Sequence, residues 1–320
     1  MRNKLPGLNP SPMKSFCSFA MLAVIVLGLV EPMQGQTIPY GSNEAVAHRV
    51  DVGDAKIYYE VYGEGPPLLL LHGGLYGYID EYSAHIPVLS RHFKVIAVAT
   101  RGHGRSEIGS KPYSYRLFAD DARAVLQREA DQPAVVIGFS DGARAACFMA
   151  AVYPAVVRKV VAIGCGLRPT PLSIAWAKQV TAESLQRESG DFVIERKRLM
   201  PNPERWDNFI ENLRAAYLTS PQLTDEQAKE IKCPVLIVGG DRDTNNPVKS
   251  FEQARDAIPR ARLVIVPDAG HVDSLQRSSV LSDIVMPFVL DRATDLPASC
   301  PAQENKKVAP SVPPSRTTGI

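Results

Sequence analysis

The chain has 320 residues, 45% hydrophobic and 22% charged, with 22 Gly and 26 Pro. That composition excludes a wholly disordered chain, a collagen-like chain and a polytopic membrane protein, and the length is ample for one layered core. The formal charge is +2, from 36 Lys and Arg against 34 Asp and Glu. No basic run is dense enough to track a phosphate backbone, so no nucleic-acid partner is expected.

Residues 16–30, FCSFAMLAVIVLGLV, form an apolar run without a charge, preceded by Arg2, Lys4 and Lys14 and followed by Glu31 and Pro32. A basic start followed by about 15 apolar residues has the pattern of a secretory signal. It is short for a transmembrane helix, which needs roughly 20. Residues 1–35 are therefore read as a signal peptide or an uncleaved N-terminal anchor, with Met13 an alternative start and cleavage near Gly35 or Gln36. The protein is then exported, periplasmic or secreted, and meets a membrane only if this segment is uncleaved. Its removal takes away three basic residues and one acidic, bringing the formal charge to zero.

From there the chain alternates strand and helix. HRVDV (48–52) and KIYYEVYG (56–63) suggest an N-terminal hairpin by their β-branched and aromatic content. PLLLLH (67–72) is a continuous apolar run, as expected of a strand buried on both faces. A helix around 79–90 follows, then a strand at 94–100, a helix at 115–130, the strand AVVIGF (134–139), a helix from Asp141 to about Val152 and a strand at 159–166. Further strands are expected at 234–240 and 262–267, each followed by a helix, near 247–258 and 273–290. Alternating β and α with fully apolar strands predicts a mostly parallel sheet with helices on both faces. The stretch 167–232 between two strands is too long and too patterned for a loop, and reads as an inserted helical cap holding the only tryptophans, Trp176 and Trp206. From 293 to 320 proline, serine and polar residues dominate with no apolar period, as in a disordered tail. The five cysteines, Cys17, Cys147, Cys165, Cys233 and Cys300, are odd in number and widely spaced. Neither a disulfide framework nor a zinc site is expected.

In a sheet of this kind ligands gather outside the carboxyl ends of the strands. The strand at 134–139 is followed by Ser140, within Gly138-Phe139-Ser140-Asp141-Gly142, a G-x-S-x-G pattern at a strand-to-helix junction. Chance alone supplies roughly 0.1 such matches in a chain of this size, and the preceding apolar run lowers that further. The tight turn needs small residues two before and two after the serine, and the new helix points its backbone N–H groups at the site. A serine hydroxyl needs a base, and His271, in Pro267-Asp268-Ala269-Gly270-His271 after the last strand, is the candidate. A carboxylate should orient that ring. Asp243 is chosen over Asp241 because it lies farther past its strand, with Pro247 fixing the loop's exit. His72-Gly73-Gly74-Leu75 follows the third strand, and the N–H of Gly74 or Leu75 with that of Asp141 would form an oxyanion hole. His72 and His103 read as structural. In the cap, Trp176, Trp206 and Tyr217 supply apolar surface that can line a substrate pocket.

Taken together, His72-Gly73-Gly74, Arg101-Gly102-His103-Gly104-Arg105-Ser106, the Ser140 turn, Asp243 with Pro247, and Gly270-His271 resemble the α/β-hydrolase-fold serine hydrolases over roughly residues 45–291. One departure is Ala99, where the family often has Asp. The resemblance implies an α/β-hydrolase fold and ester hydrolysis with Ser140, His271 and Asp243, a small-molecule ester or aminoacyl substrate, and neither metal nor cofactor. Ser-Asp-Gly at the turn resembles the valacyclovir-hydrolase-like enzymes, which implies a substrate ammonium held by Asp141. Two alternatives stay open. One is an aminopeptidase of the proline-iminopeptidase type, with Asp141, Glu183 or Glu188 as the ammonium ligand. The other is a non-hydrolytic receptor or lyase on the same fold.

Overall fold

The computed structural model describes residues 38–291. The N-terminal apolar segment and the proline-rich tail lie outside the described residues. Among the described residues no helix is long and apolar enough to cross a membrane.

Eight strands form one sheet: β1 (Ala47–Asp51), β2 (Lys56–Tyr62), β3 (Pro67–Leu71), β4 (Lys94–Val98), β5 (Ala134–Phe139), β6 (Val157–Ile163), β7 (Val235–Gly240) and β8 (Ala261–Val266). Their order is β1-β2-β4-β3-β5-β6-β7-β8. The β1/β2 and β2/β4 pairs are antiparallel and every other pair is parallel. Every residue of β3, β5 and β7 is buried, whereas edge strand β8 is mostly half-buried. The continuous apolar runs mark strands covered on both faces, and the sheet divides the interior into two cores. The winding direction reverses between β3 and β5, so their carboxyl ends open a crevice at the middle of the sheet.

The helices are α1 (Ile86–Leu89), α2 (Tyr115–Glu129), α3 (Asp141–Val152), α4 (Pro171–Gln179), α5 (Ala182–Glu188), α6 (Gly190–Leu199), α7 (Trp206–Leu218), α8 (Asp225–Lys229), α9 (Val248–Ala257), α10 (Asp273–Gln276) and α11 (Met286–Leu290). Helices α4 to α8 fill the interval between β6 and β7, and Thr170, Thr181 and Thr224 start three of them with capping boxes. Two expected helices are broken. Residues 79–90 form a 3₁₀ turn, Ile79–Tyr82, and the single turn α1, because Pro87 lacks an N–H and its ring meets the carbonyl one turn back. The last helix is interrupted by a π-helical segment, Val280–Val285, just before Pro287 in α11.

Candidate active site

Ser140 sits between β5 and α3 with φ 51° and ψ −114°, a conformation an L-residue holds only when its surroundings impose it. Its N–H donates to the carbonyl of Ile163 at 2.9 Å, and its own carbonyl accepts from Ala143 and Arg144 in the first turn of α3. The hydroxyl is thereby presented above the sheet's carboxyl edge.

The loops after β7 and β8 complete the arrangement. Nε2 of His271 is 3.0 Å from Ser140 Oγ, and Nδ1 is 2.8 Å from Oδ2 of Asp243. The other oxygen of Asp243 accepts from the backbone N–H groups of Asn245 and Asn246, both at 2.8 Å, so this buried carboxylate is fixed in its loop. Asp241 is exposed and accepts from the Ala269 N–H, which holds the β8 loop rather than the histidine. The ring of Phe139 packs 5.0 Å from that of His271.

Across the crevice, Leu75 has φ 38° in the loop after β3. The N–H groups of Gly74, Leu75 and Asp141 have no acceptor among the described residues and remain available to a developing oxyanion. His72 is engaged elsewhere: Nδ1 donates to the Gly73 carbonyl at 2.6 Å and Nε2 accepts from the Thr100 N–H at 2.9 Å. Burial drives its ring well below the ordinary histidine value, and His103 beside it down to about 4, so both are neutral structural groups. Arg101 holds the neighbouring turn through ion pairs with Asp121 and Asp54, and Ser106 donates to the Ala99 carbonyl.

Ser140 and His271 open into a cavity of about 440 Å³. Leu172 and Trp176 of α4 and Tyr217 of α7 line its other side. Trp206 does not join them: it is 3% exposed and packs against Phe209, because it opens α7 on the face turned to the core. The expected substrate role of the Asp141 side chain also needs correction. Its Oδ1 accepts from Arg144 Nη1 at 2.7 Å and from the Tyr115 hydroxyl at 2.9 Å, and its Oδ2 accepts from the Tyr217 hydroxyl at 2.6 Å. A carboxylate so paired and 5% exposed has no charge left for a substrate ammonium. Glu183 and Glu188 are exposed and lie off the cavity.

Among the lining residues that escaped the sequence reading, two are charged. Arg144, one turn after Ser140 on α3, is 3% exposed and also bonds Asn246 Oδ1 at 3.2 Å. Its i,i+3 spacing from Asp141 was the available signal. Glu81, in the 3₁₀ turn Ile79–Tyr82, accepts the Gly73 N–H at 2.8 Å, and burial pushes its carboxyl up to about 7. No pattern around it marks it. Among the described residues no cluster of His, Cys, Asp or Glu is arranged to hold a metal ion. The thiols of Cys147, Cys165 and Cys233 are all raised by burial.

A model of the alpha/beta hydrolase family matches residues 68–282. The chain is 36% identical over 126 residues to 2-(acetamidomethylene)succinate hydrolase of Mesorhizobium japonicum, covering 38% of this chain and 44% of that one. The match thus spans less than half the length of that relative. Human serine hydrolase BPHL is 23% identical over 266 residues, covering 78% of this chain and 88% of its own. Among solved structures, the enol-lactonase from Burkholderia xenovorans LB400 superimposes with a TM-score of 0.61 at 22% identity, covering 76% of this chain and all of that one.

Proposed function

The chain belongs to the alpha/beta hydrolase family, and on that premise we propose that it is a serine hydrolase cleaving a carboxylic ester or similar acyl bond. The observation that carries the reading is the hydrogen-bonded line from Asp243 through His271 to Ser140 at the foot of a lined cavity. In this mechanism Ser140 Oγ attacks the acyl carbon as His271 Nε2 takes its proton. Asp243 holds the ring's tautomer and stabilises the imidazolium. The carbonyl electrons move to oxygen, where the N–H groups of Asp141 and of Gly74 or Leu75 receive the charge. His271 returns the proton to the leaving group, and water activated by the same ring then releases the acid from the acyl-enzyme. The reading includes export, on the strength of the N-terminal signal pattern, and it calls for no metal or cofactor. Ser140→Ala should abolish hydrolysis across a panel of p-nitrophenyl esters and abolish fluorophosphonate labelling, with the melting temperature retained. Undiminished hydrolysis by pure Ser140→Ala protein rejects the serine mechanism.

A second reading has one observation in its favour. Glu81 is the carboxylate on the cavity wall that has no ion pair, and it is placed to meet an aminoacyl ammonium. The ratio of kcat/KM for an aminoacyl ester to that for its des-amino analogue tests it. That ratio should fall in Glu81→Gln if the ammonium is bound there, and stay unchanged if the substrate is a plain ester.

A further inference from the structure

Asp141 contributes two opposed things to the site. Its backbone N–H stands at the positive end of α3, ready to stabilise an oxyanion. Its carboxylate packs against the backbone of the facing oxyanion loop: a Cβ built on Gly74 would stand 2.0 Å from Asp141 Oδ2. The absence of a side chain at Gly74 therefore lets a negative charge settle between the two backbone segments meant to stabilise one. The carboxylate has structural work there. It ties α2 through Tyr115, α3 through Arg144 and α7 through Tyr217, and the last of these fastens the inserted helices to the nucleophile turn. Left uncompensated at so buried a position, the same charge would oppose the oxyanion as it forms.

We propose that Arg144 is the charge-compensating residue of the oxyanion site, cancelling the Asp141 carboxylate so that the transition state forms against no net negative charge. The geometry fits that role. The guanidinium is 2.7 Å from Asp141, and the two side chains are 2% and 6% exposed, so water does not screen them. Asn246 Oδ1 holds Nη2, and the backbone N–H of Asn246 holds Asp243, so the guanidinium is braced against the loop that orients His271. Arg144 also borders the cavity into which Ser140 opens, while Nε is buried without a partner. The guanidinium keeps its charge throughout the accessible pH range. It acts through the Asp141 charge and takes no part in bond making.

The inference rests on the serine-hydrolase reading, and one set of variants separates the two. The rates are kcat and KM of the full chain on the best p-nitrophenyl ester, for Ser140→Ala, Arg144→Gln, Arg144→Lys, Asp141→Asn and the double variant Asp141→Asn with Arg144→Gln. A merely structural ion pair predicts equal losses whichever partner is removed. Charge compensation predicts asymmetry. Arg144→Gln leaves a bare anion and should lower kcat by about tenfold or more with little change in KM. Asp141→Asn leaves a cation and should retain at least about tenfold more kcat than Arg144→Gln. Arg144→Lys, which keeps the charge, should recover most of the loss. Equal losses in Arg144→Gln and Asp141→Asn, or no recovery in Arg144→Lys, overturn the proposal. Should Arg144→Gln fail to fold, the double variant, with no buried charge, is compared with Asp141→Asn. Because Arg144 acts only through the Asp141 charge, its loss should cost little once that charge is gone. The double variant should therefore stay within about threefold of Asp141→Asn and keep a kcat near wild type. A double variant about tenfold or more slower than Asp141→Asn, or one as crippled as a broken ion pair predicts, overturns the proposal. If Ser140→Ala keeps the wild-type rate, it is the serine reading that fails.

Discussion

Gly138 and Gly142 meet across the turn that carries Ser140: a Cβ on Gly138 would stand 2.3 Å from the carbonyl oxygen of Gly142. Gly142 is confined in turn, since its own Cβ would stand 2.1 Å from the Leu71 carbonyl and 2.5 Å from that of His72. All of these obstacles are backbone, so no side chain can swing aside. The glycines are what allows α3 to start directly against β3 and Ser140 to keep its φ of 51°. Gly142→Ala should therefore displace the whole turn, at a stability cost of about 1–3 kcal/mol, and slow fluorophosphonate labelling of Ser140. A variant with wild-type melting temperature and labelling rate would show that the turn does not depend on this contact.

The two acids after β7 are separated by their partners. Asp243 faces His271, while Asp241 faces the Ala269 N–H at 3.2 Å. Asp243→Asn should lower kcat by about three to four powers of ten, since an amide there favours the wrong ring tautomer. Asp241→Asn should stay within about threefold of wild type. Steady-state kinetics on a single ester decide it, and a crippled Asp241→Asn enzyme would contradict the assignment.

Much of this site was legible because the chemistry follows the most readable strands. β3, β5 and β7 are buried along their whole length, so their apolar runs end sharply, and Gly73, Ser140 and Asp243 lie just beyond those ends. The direction of a side chain was not legible where its partners are remote in sequence. Asp141 is turned from the cavity by Tyr115 and Tyr217, 26 and 76 residues away. Trp206 and Trp176 both begin or lie within helical patterns, and only the packing of α4 against α7 decides which ring meets the cavity. The helix expected over 79–90 failed on a local signal, Pro87, that the apolar period outweighed.

The cap aromatics now divide. Trp176 borders the cavity and is 36% exposed, so Trp176→Ala should shift the acyl-length preference of a p-nitrophenyl ester series while leaving the melting temperature nearly unchanged. Trp206 lies in the core, and Trp206→Ala should cost about 3–5 kcal/mol with the preference intact. Tyr217→Phe keeps its ring on the cavity wall but leaves Asp141 Oδ2 without its hydroxyl donor, so stability should fall by about 1–3 kcal/mol. If Trp176→Ala leaves the preference untouched, α4 does not select the acyl group.

Glu81 gives the protein a pH-dependent stability of predictable sign. Burial raises its carboxyl from 4.5 to about 7; the negative neighbours Asp80 and Asp141 add to the rise, while the Gly73 N–H and the Arg196 guanidinium oppose it. The folded state therefore holds a proton at this position that the unfolded chain gives up at lower pH. Stability from this group is fully present below pH 4.5 and is lost as pH rises to about 7, by roughly 3 kcal/mol at most. Glu81→Gln has no proton to lose, and its amide oxygen can still accept from Gly73. The variant should match wild type near pH 4.5, become the more stable protein as pH rises, and keep a constant advantage above about pH 7 to 8. Urea midpoints of both proteins from pH 4 to 9, with m-values checked for equality, measure the difference. A difference that is flat across that range, or largest at the acid end, would show that Glu81 does not hold its proton in the folded state above the ordinary carboxylate range.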